Sequence, residues 1–225
     1  MKDTPRHVGI ILDGNRRWAR KRGLPTFEGH KRGLEKIRDV VDWCRQRGVK
    51  TLTLFVFSTE NWHRSKKEVD YLMKLAEKAV RENSQELSDQ DIRVRVIGMK
   101  EKLPSFVKKA IKEAEEGTKD NTGMTLNFAL SYGGRAEIVQ AVRKIISEKV
   151  EPAKITEDLI SKNLWTSDLD LVIRTGKEQR LSNFLIWQAA YSELYFLEKY
   201  WPEFNEKDLE EAFEDYHRRK RRFGR

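Results

Sequence analysis

The stretch Val8-Gly-Ile-Ile-Leu-Asp-Gly-Asn-Arg-Arg-Trp18 joins a short apolar run to a polar turn. An apolar run of five residues bounded by turn residues reads as a strand buried on both faces. Thr51-Leu-Thr-Leu-Phe-Val-Phe57 reads the same way. Between them Leu34, Ile37, Val41 and Cys44 recur at helical spacing, and Gly48 follows as a stop. Further along, Val69, Leu72, Met73, Ala76 and Val80 mark a second amphipathic helix. Then come a strand from Ile92 to Ile97, a helix opened by Pro104 and a strand from Met124 to Leu130. Gly133-Gly134 leads into a helix bearing Ile138, Val139, Val142 and Ile145. A buried strand from Asp170 to Arg174 follows, and Leu209, Ala212, Phe213 and Tyr216 mark a closing helix. This alternation predicts one α/β domain over residues 1–225, with a mainly parallel central sheet flanked by helices. In such sheets ligands sit outside the carboxyl ends of strands, so polar motifs directly after a strand are where chemistry is expected.

Composition narrows the classes. With 225 residues and 38% apolar content the chain can bury a core. Its longest apolar runs fall far short of the roughly 20 residues that cross a bilayer, and its polar start does not read as a signal peptide. A single cysteine excludes an internal disulfide framework or a multi-cysteine metal site and fits a reducing, cytoplasmic setting. The net charge of +9 points to a polyanion, whether nucleic acid, phospholipid or phosphorylated substrate. Residues 1–40 carry +6 and residues 217–225 another +6, so the remainder is slightly acidic. No base-stacking surface or reading helix is evident, so no nucleic-acid partner is expected.

Three strand-end loops carry the chemistry. Asp13-Gly-Asn-Arg-Arg-Trp18 offers backbone N–H groups, two guanidinium groups and a glycine that lets a ligand approach, which describes a phosphate cradle. Asp13 at its mouth repels an anion unless a hard cation such as Mg²⁺ lies between them. The plain alternative is a turn with solvated arginines. Phe57-Ser-Thr-Glu-Asn-Trp-His-Arg64 packs hydroxyl, carboxylate, amide, indole and guanidinium into one connector, although Ser58 or Ser65 also suits a helix cap and Trp62 a loop anchor. In Ile173-Arg-Thr-Gly-Lys-Glu-Gln-Arg-Leu-Ser182, Arg174 and Arg180 flank a turn and suit a diphosphate held from two sides.

These motifs occur in order with Glu28-Gly-His30, Asn127, Tyr132-Gly-Gly-Arg135, Arg180-Leu-Ser-Asn-Phe184, Glu193-Leu-Tyr-Phe196, Trp201-Pro202 and Arg222-Phe-Gly224. As a set, over nearly the whole chain, they resemble the cis-prenyltransferases, the undecaprenyl and dehydrodolichyl diphosphate synthases. The aspartate-rich helices of the all-helical trans-prenyl synthases are absent.

The resemblance implies elongation of an allylic diphosphate, farnesyl or geranylgeranyl, by isopentenyl diphosphate in steps that each leave a Z double bond. It implies Mg²⁺ held by Asp13 with Glu193. It places Gly14, Asn15, Arg16, Arg17, Trp18 and His30 around the allylic diphosphate. Arg174, Arg180, Leu181 and Ser182 fall at the isopentenyl diphosphate, and Ser58, Thr59, Glu60, Trp62 and Arg64 in a loop that closes over the reaction. Asn61 matches the position proposed as proton acceptor, though an amide is a poor base and released pyrophosphate can serve instead. The resemblance also implies a homodimer in which Arg222 and Gly224 reach the partner's site, and an apolar tunnel lined by the Ile37/Val41 and Val69–Val80 helices. A basic tail suits contact with anionic membrane lipid.

Departures from the family pattern accompany these matches. Thr26 and Gln179 stand where arginine and histidine are usual, Lys177 replaces a common glycine, and the usual Pro-Asp-Pro is missing around Asp168 to Asp170. Two other family readings are a non-catalytic partner subunit and a short-chain or irregular prenyl synthase. Retention of the Asp-Gly-Asn and Ser-x-Glu-Asn residues argues against the former.

Overall fold

In a computed structural model, residues 4–219 are described. Among them the strands are β1 (His7–Ile11), β2 (Thr51–Ser58), β3 (Ile92–Ile97), β4 (Met124–Tyr132), β5 (Leu171–Arg174) and β6 (Glu193–Phe196). The helices are α1 (Asn15–Lys21), α2 (Thr26–Gln46), α3 (Lys66–Asp89), α4 (Ser105–Gly117), α5 (Gly134–Ser147), α6 (Glu157–Asn163) and α7 (Glu206–Arg218). The strands form one sheet in the order β3-β4-β2-β1-β5-β6, with every pairing parallel. Strand order departs in opposite directions from β1, towards β2 on one side and β5 on the other. The carboxyl ends of these three strands therefore face one crevice, where the three chemical loops begin.

The sheet is covered on both faces. Val8, Ile10, Leu52, Leu54, Leu126 and Ile173 are fully buried against α2 and α7 residues such as Val40, Leu209 and Ala212. Complete burial of each large aliphatic side chain contributes about 1.5–3 kcal/mol. Trp201 completes this core, stacked on Phe204 at 5.5 Å, and its indole N–H donates to the Gly33 carbonyl at 2.6 Å. On the other face Phe55 stacks on Phe184 at 4.8 Å beside Tyr132.

A polar thread runs through the middle of the sheet. His7 Nδ1–H donates to the Asp168 carbonyl at 3.0 Å, so Nε2 accepts from the Thr53 hydroxyl at 2.7 Å. Asn127 Nδ2 donates to Thr53 and Thr166. Asn127, one of the motif residues, is thus a packing residue paired in register with Thr53, well before the carboxyl ends.

Two sequence expectations need correction. The helix after Gly133-Gly134 forms as α5, but Val139 and Val142 point outward, 49% and 41% exposed, and Ile146 joins them. The face turned inward carries Glu137, Ala141 and Ile145. Glu137 sets that rotation because its buried carboxylate accepts from the Trp165 backbone N–H, the Gln188 amide and the Tyr132 hydroxyl. Leaving those groups unpaired in the interior costs more than exposing two valines. Strand β6 was not anticipated, because four half-buried residues carry too little periodicity to announce it.

Candidate active site

The Asp13 loop leaves β1 through Gly14, whose φ of +104° favours glycine. A Cβ there would also lie 2.6 Å from the Tyr200 ring. Helix α1 has only seven residues, so anion binding falls on side chains rather than on the helix end. It presses on α2 at Gly29, where a Cβ would stand 2.0 Å from the Asn15 carbonyl oxygen. This close approach brings Asn15 and His30 together in the lining of a cavity.

Asp13 is the centre of a first charge cluster. Arg174 Nη2 donates to its Oδ2 at 2.9 Å, and Arg17 Nη2 pairs with Oδ1 at 3.0 Å. Thr175 locks the turn by donating to the Asp13 carbonyl at 2.8 Å. Arg174, only 4% exposed, also donates from Nη1 to Ser182 Oγ at 2.8 Å and to the Arg180 carbonyl. Its Nε has no hydrogen-bond partner among the described residues. Glu178 accepts from Arg17 at 2.9 Å and from Arg180 at 2.6 Å. Burial alone would lower the Arg17 pKa, but Asp13 and Glu178 outweigh it and hold the guanidinium charged. Three guanidinium groups thus share two carboxylates, leaving an excess of donors facing the crevice.

A second cluster centres on Glu68 in the first turn of α3. Its Oε1 lies 3.1 Å from His30 Nε2, 3.2 Å from Arg64 Nη1 and 3.8 Å from Arg16 Nε. Burial lowers the His30 pKa, and Arg64 and Arg16 push the same way against the Glu68 bond, so the imidazole is neutral near pH 7.

The Ser58–Arg64 loop forms a short helical turn over Thr59–His63. Asn61 closes it, its Oδ1 accepting from the Ser58 backbone N–H at 3.2 Å. Glu60 accepts from Asn183 Nδ2 at 3.0 Å. Burial raises the Glu60 pKa, but hydrogen bonds from its own backbone and from Asn183, Ser58 and Thr59 together outweigh it and hold the carboxyl below its ordinary value. Trp62 donates to Ser131 Oγ at 2.9 Å and packs edge-on against Phe57, which bears out its reading as a loop anchor. Ser65, rather than Ser58, caps α3.

From the cradle a cavity of about 480 Å³ runs between α2 and α3 over the sheet. Ile37, Val41, Leu72, Ala76, Val80 and Phe128 are among its lining residues, and Arg38 and Glu86, paired at 2.5 Å, stand at its far reach.

The family model described as "Putative undecaprenyl diphosphate synthase" matches residues 11–224. The chain belongs to the undecaprenyl diphosphate synthase family. An isoprenyl transferase of Thermotoga maritima is 49% identical, covering 98% of this chain and 97% of its own. One from Bacillus cereus is 46% identical over 98% of this chain and 88% of its own. The crystal structure of lavandulyl diphosphate synthase from Lavandula x intermedia, in complex with dimethylallyl diphosphate, superposes with a TM-score of 0.95. It is 41% identical and covers 99% of both chains. As a member of the undecaprenyl diphosphate synthase family, the chain is a prenyltransferase of the α/β class.

Within this family member, the cradle unites Asp13, Gly14, Asn15, Arg16, Arg17 and His30, and joins them to Arg174, Arg180, Ser182 and Arg64. Trp18 stands aside, under Arg22 at 4.6 Å. Leu181 packs against the Phe55/Phe184 core rather than presenting a polar group. Arg222 and Gly224 lie outside the described residues.

Glu193 is not brought to Asp13. It pairs in register with Leu171 at the start of β5, three residues or roughly 10 Å before the carboxyl ends, and accepts from Arg219 at 3.1 Å. The expected Asp13/Glu193 ligand pair is therefore not assembled within the chain, and the charge of Asp13 is balanced directly by Arg17 and Arg174. Among the described residues no group of three His, Cys, Asp or Glu side chains could cage a metal. Asp13 alone still fits Mg²⁺ of the kind that takes one carboxylate, substrate phosphate oxygens and water.

Lys177 stands at φ +70°, a conformation that accounts for the glycine usual there. Thr26 and Gln179 are exposed. Three residues of the site were missed from sequence. Glu68 follows Arg64 by four and Ser65 by three, a capping-box spacing whose carboxylate turns instead to His30. Glu178 sits in a quoted loop between two arginines, and Asn183 at φ +66° occupies a conformation asparagine tolerates.

Proposed function

We propose that the chain condenses isopentenyl diphosphate with an allylic diphosphate, farnesyl or geranylgeranyl, in repeated Z steps, giving a polyprenyl diphosphate and pyrophosphate. The observation that carries this is the apolar cavity whose lining reaches Asn15 and His30, beside the Arg17/Arg174 cluster. Its lining follows α3 from Leu72 to Leu87, roughly 22 Å at 1.5 Å per residue, several times the length of one five-carbon unit. An anionic head at the arginines and a growing apolar tail between α2 and α3 satisfy both surfaces.

In the reaction the allylic C1–O bond breaks, the isopentenyl double bond attacks C1, and the proton lost from C2 of the isopentenyl unit completes the new double bond. Arg16, Arg17, His30 and Arg64 hold the allylic diphosphate and stabilise charge developing on the leaving group. Arg174, Arg180 and Ser182 hold the isopentenyl diphosphate. Asp13 would hold Mg²⁺, which would supply further charge neutralisation to the departing pyrophosphate. Asn61, neutral and engaged with Ser58, orders the loop, and the proton passes to pyrophosphate. Glu60, Thr59 and Ser58 shape the same loop, whose closure keeps water from the allylic cation.

The same reading takes residues 1–225 as one catalytic domain acting as a homodimer. The apolar Val139, Val142 and Ile146 on the surface of α5 support a partner. No described helix is long and apolar enough to cross a membrane, so contact with lipid is peripheral in this reading. Incubation with labelled isopentenyl diphosphate, Mg²⁺ and each allylic starter, followed by product mass, tests the proposal. Label is expected in long extractable lipid and is lost with chelator. Absence of incorporation with every starter refutes it. Irregular coupling, favoured by the likeness to lavandulyl diphosphate synthase, would instead show as a branched ten-carbon product from dimethylallyl diphosphate alone.

A further inference from the structure

Arg16 from α1, His30 from α2 and Arg64 from the loop before α3 converge on one oxygen of Glu68. No reactive role is assigned to Glu68 above, yet it takes the donors that an allylic diphosphate needs. A carboxylate can only accept, so the neutral His30 must carry its proton on Nε2 and direct it at Glu68. The side chain is 16% exposed and lies 3.1 Å from His30, which itself lines the cavity, so the diphosphate head must come to lie close to Glu68 if the tail enters the cavity. Two anions cannot both hold these donors at full strength.

We propose that Glu68 is an internal stand-in for a phosphate group: its carboxylate holds Arg16, His30 and Arg64 in place, and an arriving diphosphate takes over those donors and displaces it. The inference rests on the reading of this cradle as the allylic diphosphate site. Because Glu68 follows directly on the Ser58–Arg64 loop, its release couples arrival of the head group to movement of that loop. Glu68 also sets the affinity for the head group, and it does so in the opposite sense from an ordinary binding residue.

Calorimetric binding of inorganic pyrophosphate and of geranyl diphosphate to the full chain provides the test. Glu68→Gln keeps size and hydrogen-bonding capacity but removes the charge. It is expected to tighten both ligands roughly tenfold, the scale of one charge-assisted contact. Glu68→Asp, whose shorter arm reaches fewer donors, is expected to fall between wild type and Glu68→Gln. Unchanged or weaker binding by Glu68→Gln with its melting temperature retained overturns the proposal. If Glu68→Gln does not fold, unchanged or weaker binding by Glu68→Asp does the same. Arg17→Ala separates the two layers of inference. If it fails to weaken pyrophosphate, the cradle reading falls as well. If it weakens pyrophosphate while Glu68→Gln does not tighten it, only the role of Glu68 falls.

Discussion

Arg174 Nη2 donates to Asp13 Oδ2 at 2.9 Å, clamping the end of β5 to the turn that follows β1. The guanidinium is almost fully buried, whereas the carboxylate is about a quarter exposed. Asp13→Asn keeps the shape but leaves Arg174 without its anion. The cost of breaking a fully buried pair, discounted for solvent at Asp13, becomes about 1–2 kcal/mol, measurable by urea denaturation. Turnover is expected to fall at least about a hundredfold, since charge stabilisation at the leaving group is removed. Unimpaired turnover would exclude Asp13 from the reaction.

Gly29→Ala places a methyl group against the Asn15 carbonyl, at 2.0 Å before relaxation. The Cβ is fixed rigidly to α2 and the carbonyl belongs to the backbone of α1, so α1 must move off α2. A loss of about 2–3 kcal/mol is expected, with a raised KM for the allylic diphosphate. The same substitution at Gly48, where a Cβ meets nothing but φ is +80°, should lower stability without changing that KM.

Ala76 lines the cavity partway along α3. Ala76→Phe fills the path without touching the cradle. Products should shorten while turnover of the first condensation stays within a few-fold of wild type, as read by mass spectrometry. An unchanged product distribution would show that the chain grows elsewhere.

Asn183 couples two loops, donating to Glu60 and accepting from the Arg135 backbone N–H at 2.9 Å. Asn183→Asp keeps the second bond but sets a carboxylate against Glu60, whose pKa then rises as it loses a donor and gains a like charge. The KM for isopentenyl diphosphate should increase several-fold in steady-state assays, more than kcat falls. Asn183→Ala, which loses both bonds, should be worse in both.

Burial lowers the His7 pKa to about 4, against a backbone bond to Asp168 and the nearby Asp170 charge that raise it. The unfolded chain, with an ordinary histidine near 6.5, binds the proton first as pH falls. The contribution is therefore whole above pH 6.5 and is lost as pH drops towards 4, up to about 3 kcal/mol. His7→Gln can retain both hydrogen bonds without titrating. Its stability, followed by denaturation at each pH, should decline less steeply over that window.

By itself the sequence determined the strand–helix alternation, the positions of the three reactive loops and most of the cradle. Those are properties of local period and of residue type, and the run from Val8 to Trp18 carries both. Five of the six strands were legible, since buried parallel strands are continuous apolar runs; β6, as short as β5 but only half-buried, has no such run. Tertiary structure decided the rest. Which face of α5 turns inward depends on Glu137 finding three donors from distant segments. Strand register sets Glu193 apart from Asp13, a separation that the family pattern does not reveal. Glu68, Glu178 and Asn183 entered the site only because folding brings loops far apart in sequence within hydrogen-bond reach. Coulombic and hydrogen-bonding partners are chosen by distance in space, and that distance is fixed by packing the helices on the sheet.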